Sequence, residues 1–172
     1  MSQPYKPQTR TTDAVIDDEL VRFSQLGGAA GLTFARVVAA ADQTVNNSTT
    51  LVDDNELLLT LNINTTYFGL IFLIQDSGSV PDFKHAFSLP AGATGIWLNN
   101  AQLFRHSTQT LGDITTTISS AGISANGMVV TPFRIIMGAT AGNSIFQFAQ
   151  NTLELSDTIR REGSFIIVWE EV

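Results

Sequence analysis

Asp42-Gln-Thr-Val45, then Ser48-Thr-Thr-Leu-Val-Asp-Asp54 running into Leu57, then Val80-Pro-Asp-Phe-Lys-His-Ala-Phe-Ser-Leu-Pro-Ala-Gly-Ala-Thr-Gly95 form the block whose reading decides the fold. Every recognisable element in it builds β-structure, and none gathers catalytic side chains. Phe83, His85, Phe87 and Leu89 share one face against Asp82, Lys84 and Ser88, the two-residue period of a half-buried strand. Pro81 and Pro90 bound this strand, because proline cannot donate to a ladder and collects at strand ends.

The same period extends outward. Leu57, Leu59, Leu61 and Ile63 alternate with Thr60, Asn62 and Asn64, predicting a strand with one wet face. Tyr67 to Ile74 is apolar on both sides: Phe68, Leu70, Phe72 and Ile74 on one, Tyr67, Ile71 and Leu73 on the other, with a gap at Gly69. Such a strand is expected inside a sandwich and beneath a further layer, either a loop or a neighbouring subunit. More strands are expected around Gly95–Phe104, Thr115–Ile118, Met128–Met137, Ser144–Gln150 and Ser164–Glu171. Turn signals separate them at Pro90-Ala-Gly92, Leu111-Gly-Asp113, Ala125-Asn-Gly127 and Gly138–Asn143. The last strand sets Phe165, Ile167 and Trp169 against Ile166 and Val168, so a central place in a sheet is expected, and a charge at Ile167 should prevent folding. The pattern predicts an all-β antiparallel jelly-roll sandwich over residues 32–172.

Residues 1–31 differ. Pro4 and Pro7 favour an extended start, and Thr12-Asp13 reads as a helix cap with acidic residues at the positive dipole end. Val15, Ile16, Leu20 and Phe23 then make a narrow apolar face on a short helix, and Gly27-Gly28-Ala-Ala-Gly31 is a joint. A helix this short is marginal alone. The segment reads either as a tail without its own structure or as a docking arm; the apolar face favours the arm, and makes those four residues candidate partner contacts.

Composition bounds function. A chain of 172 residues suits one domain with a core of its own. The absence of cysteine excludes disulfides and thiolate metal sites. The polar start, without an apolar signal region, and an apolar run of only Phe68 to Ile74 set the expectation of a soluble protein from a reducing compartment, with no membrane partner. A net charge of −7 with scattered basic residues argues against nucleic acid. Charged residues are 15% of the chain, well under the roughly 25% of an average domain, so the surface is expected either to be covered by Thr, Asn, Ser and Gln or to lie in part against other chains.

No cofactor is expected. His85 stands alone on an aromatic face and His106 lies in a polar stretch, whereas sandwich metalloenzymes need several converging ligands. His85 is instead a candidate core or partner-contact residue. Asp53, Asp54 and Glu56 could in principle hold a hard cation, but turn capping is the expected role. The sequons at Asn46, Asn47 and Asn64 matter only in a secreted protein. No nucleophile, base and orienting group stand at a recognisable spacing, so no enzymatic activity is expected.

Asp42-Gln-Thr-Val45, Thr50-Leu51, Asp53-Asp54 with Leu57, Pro81-Asp-Phe-Lys84 and Leu89-Pro-Ala-Gly-Ala-Thr-Gly95 resemble virion structural proteins of tailed bacteriophages and prophages. Phe146-Gln-Phe-Ala-Gln-Asn-Thr152, Gly163-Ser-Phe165 and Trp169 resemble the closing part of that pattern, so the likeness spans roughly residues 36–172. His85 stands where the pattern has an apolar residue. The resemblance implies a homotrimeric jelly roll on the outer surface of the virion, assembled in the host cytoplasm and bound to the major capsid protein or other virion subunits. Its implied role is capsid decoration (cement), with a head-fibre or tail appendage binding a host receptor or glycan as the alternative.

Overall fold

The structure, a computed structural model, describes residues 34–78, 82–99, 110–120 and 127–171. The expected arm, with Val15, Ile16, Leu20 and Phe23, lies outside the described residues, as does His106. Residues Phe34–Glu171 form one compact unit. The described chain is all-β: β1 Phe34–Val38, β2 Gln43–Asn46, β3 Val52–Thr60, β4 Thr66–Ser77, β5 Phe83–Ser88, β6 Thr94–Asn99, β7 Thr110–Asp113, β8 Ile118–Ser120, β9 Gly127–Ile136, β10 Asn143–Gln150, β11 Asp157–Arg160 and β12 Phe165–Glu170.

These strands make two antiparallel sheets. The larger runs β1-β12-β4-β9-β6-β7, with β11 joining β2 to one end of β4, and the smaller runs β3-β10-β5-β8. Pairing is nested in sequence. β1 lies against β12, β3 against β10, β4 against β9 and β5 against β8, so the chain folds back on itself as one long hairpin. Successive pairs alternate between the larger and smaller sheet.

The inner faces meet through aromatic side chains. Phe83 stacks on Phe148 at 5.2 Å within the smaller sheet, while Phe87 reaches across to Phe133 at 5.2 Å and Trp97 at 6.0 Å on the larger. Alternation in β4 buries Tyr67, Ile71 and Leu73 as expected. The gap at Gly69 is filled by a ring: a Cβ there would stand 2.4 Å from Cζ of Phe133 and 2.8 Å from Cγ1 of Val168. Glycine therefore lets Phe133 lie over the central strand.

Several expectations are corrected. Among the described residues no loop covers the outward side of β4; in the single chain Phe68 is exposed, and Leu70, Phe72 and Ile74 are half-buried. Ile63 is exposed in the β3–β4 turn, where Asn64 takes a positive φ of 54°. Leu111-Gly-Asp113 is not a turn but belongs to β7, paired with β6. Thr115–Ile118 is not one strand: the Asp113 carboxylate accepts bonds from the Thr115 amide and hydroxyl, at 2.8 and 2.7 Å, and so turns the chain before β8. Strand β11 was not foreseen; its four residues, Asp157-Thr-Ile-Arg160, carry too few apolar side chains for periodicity to register.

β12 does hold an interior position, between β1 and β4. Its faces have unequal burial, however: Ile166 and Val168 are fully buried, while Ile167 is half-buried on the outward side. A charge at Ile167 can therefore reach water. Val168→Asp is expected to abolish soluble, cooperatively unfolding protein, because the carboxylate would be buried without a partner. Ile167→Asp should fold with a lowered melting temperature, and circular-dichroism melts of the two variants check the difference.

Candidate functional site

Asp54 and Glu56 sit within β3, not in a turn before it. Leu58 faces Ile145 and Asp53 faces Gln147, so β3 bulges between these pairs. A bulge re-aims side chains out of the ladder. Here it turns Asp54 inward, where its Oδ1 accepts the amides of Glu56 at 2.9 Å and Leu57 at 2.8 Å.

The partner of this bulge is Arg160 on β11, 1% exposed. Its Nε donates to Asp54 Oδ2 at 2.6 Å, and its Nη2 to Asp54 Oδ1 at 3.1 Å and Glu56 Oε2 at 3.3 Å. Nη1 donates to the carbonyl of Ala41. The Glu56 carboxylate also accepts the amides of Ala40 at 3.0 Å and Ala41 at 3.3 Å, and these bonds, with Arg160 beside them, hold its pKa below the ordinary carboxylate value. One guanidinium thus ties the larger sheet, the β1–β2 connection and the smaller sheet together. The acidic cluster is an arginine clamp, and its chemistry is structural.

The neighbouring Arg161 pairs with Asp42 at 2.7 Å and Asp76 at 2.6 Å. The amide of Glu162 donates to Asp42 at 2.7 Å, and this bond, together with Arg161, lowers the Asp42 pKa.

His85 lies in the core, 1% exposed, with its ring 5.0 Å from Trp97, 5.5 Å from Phe146 and 5.8 Å from Phe83. Neither of its nitrogens has a hydrogen-bond partner among the described residues. Burial in this aromatic cage pulls its pKa down to about 3, so the imidazole is neutral at physiological pH. It lies in the core, one of its two expected places, and presents no surface in the single chain. Among the described residues no three His, Cys, Asp or Glu side chains stand together as metal ligands.

The other prominent surface is the outward face of the larger sheet. Val38, Phe68, Ile96, Met128 and Ile136 are 37 to 64% exposed there. Phe72 stacks on Phe165 at 4.4 Å, Phe68 tilts against Trp169 at 4.9 Å, and the Arg36 guanidinium lies 4.8 Å over the Phe165 ring. Sequence reasoning marked the apolar residues of β4 and β12 but could not show that five strands would align them. It missed Arg160 altogether, since the carboxylate that holds it is 106 positions away.

Comparison with known proteins finds no matching family model and no matching curated protein. Among solved structures, the chain is similar to one in the structure of infectious bursal disease virus, Gt strain, at 11% identity and a TM-score of 0.23. The match covers 82% of this chain and 38% of that one. Superposition at this level carries no argument about fold or function.

Two outcomes are expected. Arg160→Met should cost about 3–5 kcal/mol in urea unfolding, because it strands the buried Asp54 carboxylate; adding Asp54→Asn should recover part of that. For His85, the folded pKa lies below the ordinary 6.5, so the unfolded state takes up protons first as pH falls. Stability is full above about pH 6.5 and declines toward pH 3, by about 2 kcal/mol between pH 7 and pH 5. His85→Phe should remove that decline, as denaturant titrations at the two pH values would show, whereas Asp42 and Glu56 act only below the ordinary carboxylate range.

Proposed function

We propose that this chain is a non-enzymatic structural protein of a virus particle: a homotrimeric jelly roll that decorates the outer surface of a phage head and binds its major capsid protein. The observation that carries the reading is the nesting of four strand pairs. A jelly roll is a long antiparallel hairpin wrapped so that its successive pairs fall alternately in two sheets. β1·β12, β3·β10, β4·β9 and β5·β8 follow that scheme, in the orders β1-β12-β4-β9 and β3-β10-β5-β8. β2, β6, β7 and β11 are additions to it.

Fold alone does not choose among the uses of a jelly roll, which include capsid and lectin domains. The choice of a virion rests on the resemblance of the Asp42–Gly95 block and the Phe146–Trp169 stretch to phage virion proteins. A surface poor in charge and an apolar outward sheet face support it, since both call for partners. The action is mechanical: a subunit bridges its neighbours, and added contacts resist the pressure of packaged DNA. Residues 1–31 serve in this reading as the arm that docks on the shell.

Deleting residues 1–24 should leave a folded oligomer that no longer sediments with empty phage capsids. Undiminished capsid binding by the truncation would refute the arm. Full-length protein that ignores capsids but binds host glycans would replace decoration with the appendage role, and electron cryomicroscopy of particles would give copy number and position.

A further inference from the structure

We propose that β8 is an acid-released flap: when His85 takes up a proton, Ile118–Ser120 part from β5 and the imidazolium reaches water while the rest of the sandwich stays folded. This device goes beyond the structural role proposed above and does not rest on it.

His85 is enclosed within its sheet and across the core. Phe83 and Phe87 flank it on β5, Phe148 lies opposite on β10 and Ile118 opposite on β8. The rings of Trp97 and Phe146 stand 5.0 and 5.5 Å away, and all six of these side chains are buried. Among the described residues no charged or titratable group faces the imidazole from β5, β6, β8 or β10. Lys84 belongs to the opposite face of β5, and the Asp113 carboxylate of β7 is turned to Thr115. Both ring nitrogens, and Nε1 of Trp97 beside them, are buried without a hydrogen-bond partner among the described residues. A neutral imidazole tolerates this, whereas an imidazolium carries two N–H donors and a charge. The surrounding rings offer cation–π attraction, which does not replace the lost hydration. Protonation therefore demands an opening.

The cage yields most easily at β8. On one side of β5 lies β10, joined to it by six residue pairs and held from beyond by β3. Across the core, β6 is held by four pairs to β7 and four to β9. β8 ends the smaller sheet and is joined to β5 alone, through Phe83↔Ser120, Lys84↔Ser119 and His85↔Ile118. Parting these three pairs withdraws Ile118, 8% exposed, from the core directly beside the imidazole. Short edge elements with few buried contacts open at free energies well below that of global unfolding. The open state binds its proton near the ordinary value of 6.5 and the closed state far below it, so opening is favoured as pH falls. Between pH 7 and pH 5 the opening equilibrium should rise about 25-fold. Asp113, which caps the turn before β8, has its pKa held below the ordinary carboxylate value of 3.8 and does not titrate in that window.

The test is hydrogen–deuterium exchange of the full-length protein at pH 7 and pH 5, each in a series of low urea concentrations, with rates scaled to those of unstructured amides. The β8 amides should exchange through an opening that urea hardly changes and that is about 25-fold more frequent at pH 5. Amides of β4 and β9 should exchange far more slowly, through urea-sensitive global unfolding. His85→Phe should leave β8 opening equally often at both pH values, and His85→Leu gives the same readout if the larger ring disturbs the cage. Ile118→Ala should raise β8 opening at both pH values and keep the 25-fold ratio. Protection of β8 equal to that of β4 at both pH values would overturn the flap. A β8 opening that ignores pH in the wild type, or that keeps its pH dependence in the His85 variants, would overturn its coupling to the proton.

Discussion

Strand β4 is bonded along both edges, to β9 from Thr66 to Gln75 and to β12 and β11 on the other side, and the rest of the molecule is arranged around that constraint. Its two neighbours come from residues 127–136 and 157–170, so a strand near the middle of the chain brings the late segments together. Backbone groups deep in such a sheet must be paired, and each of the twelve residues of β4 has a ladder partner on at least one side, with Tyr67 to Phe72 paired on both. Packing reinforces the ladder at Gly69, where the space of the missing Cβ is taken by the Phe133 ring from one neighbouring strand and by Val168 from the other. Replacing that hydrogen with a methyl group would push Phe133 out of the core and loosen both neighbours at once.

Among the buried polar residues, Arg160 and His85 differ most in their energetics. Arg160 brings a full charge inside, but Asp54, Glu56 and the Ala41 carbonyl take up its donors, so its desolvation is offset by directed bonds. It also specifies geometry, because only one placement of β11 against the β3 bulge satisfies all of them. His85 receives no such compensation from the described residues, and the aromatic cage keeps it neutral. Arg160 therefore fixes the relation of the two sheets, while His85 makes stability depend on pH.

Much of the strand pattern was legible. The alternation in Phe83 to Leu89, Tyr67 to Ile74 and Phe165 to Trp169 marks inner and outer faces from the sequence alone, since side chains on a strand must alternate. Where reading failed, a local hydrogen bond or a distant partner overrode propensity. Thr115-Thr-Thr117 is β-branched, yet the Asp113 side chain bends it into a turn. Gly112 looks like a break, yet it sits in the edge strand β7 opposite Trp97. The acidic run at 53–56 looked like an exposed cap because the sequence holds no sign of an arginine more than a hundred residues later.

By itself the sequence determined the class: an all-β chain with strands of known inner and outer face, without cysteine and with little charge. These are properties of single residues and their near neighbours, and a period of two needs no third dimension. Only the tertiary structure decided which strands pair, because hydrogen-bond ladders join segments as far apart as Phe34 and Trp169, and backbone amides carry no label of their partners. It likewise decided that Arg160 would meet Asp54, that His85 would be sealed in a cage, and that apolar side chains from five strands would line up as one face. Such juxtapositions follow from register across a folded sheet, which no local stretch of sequence contains.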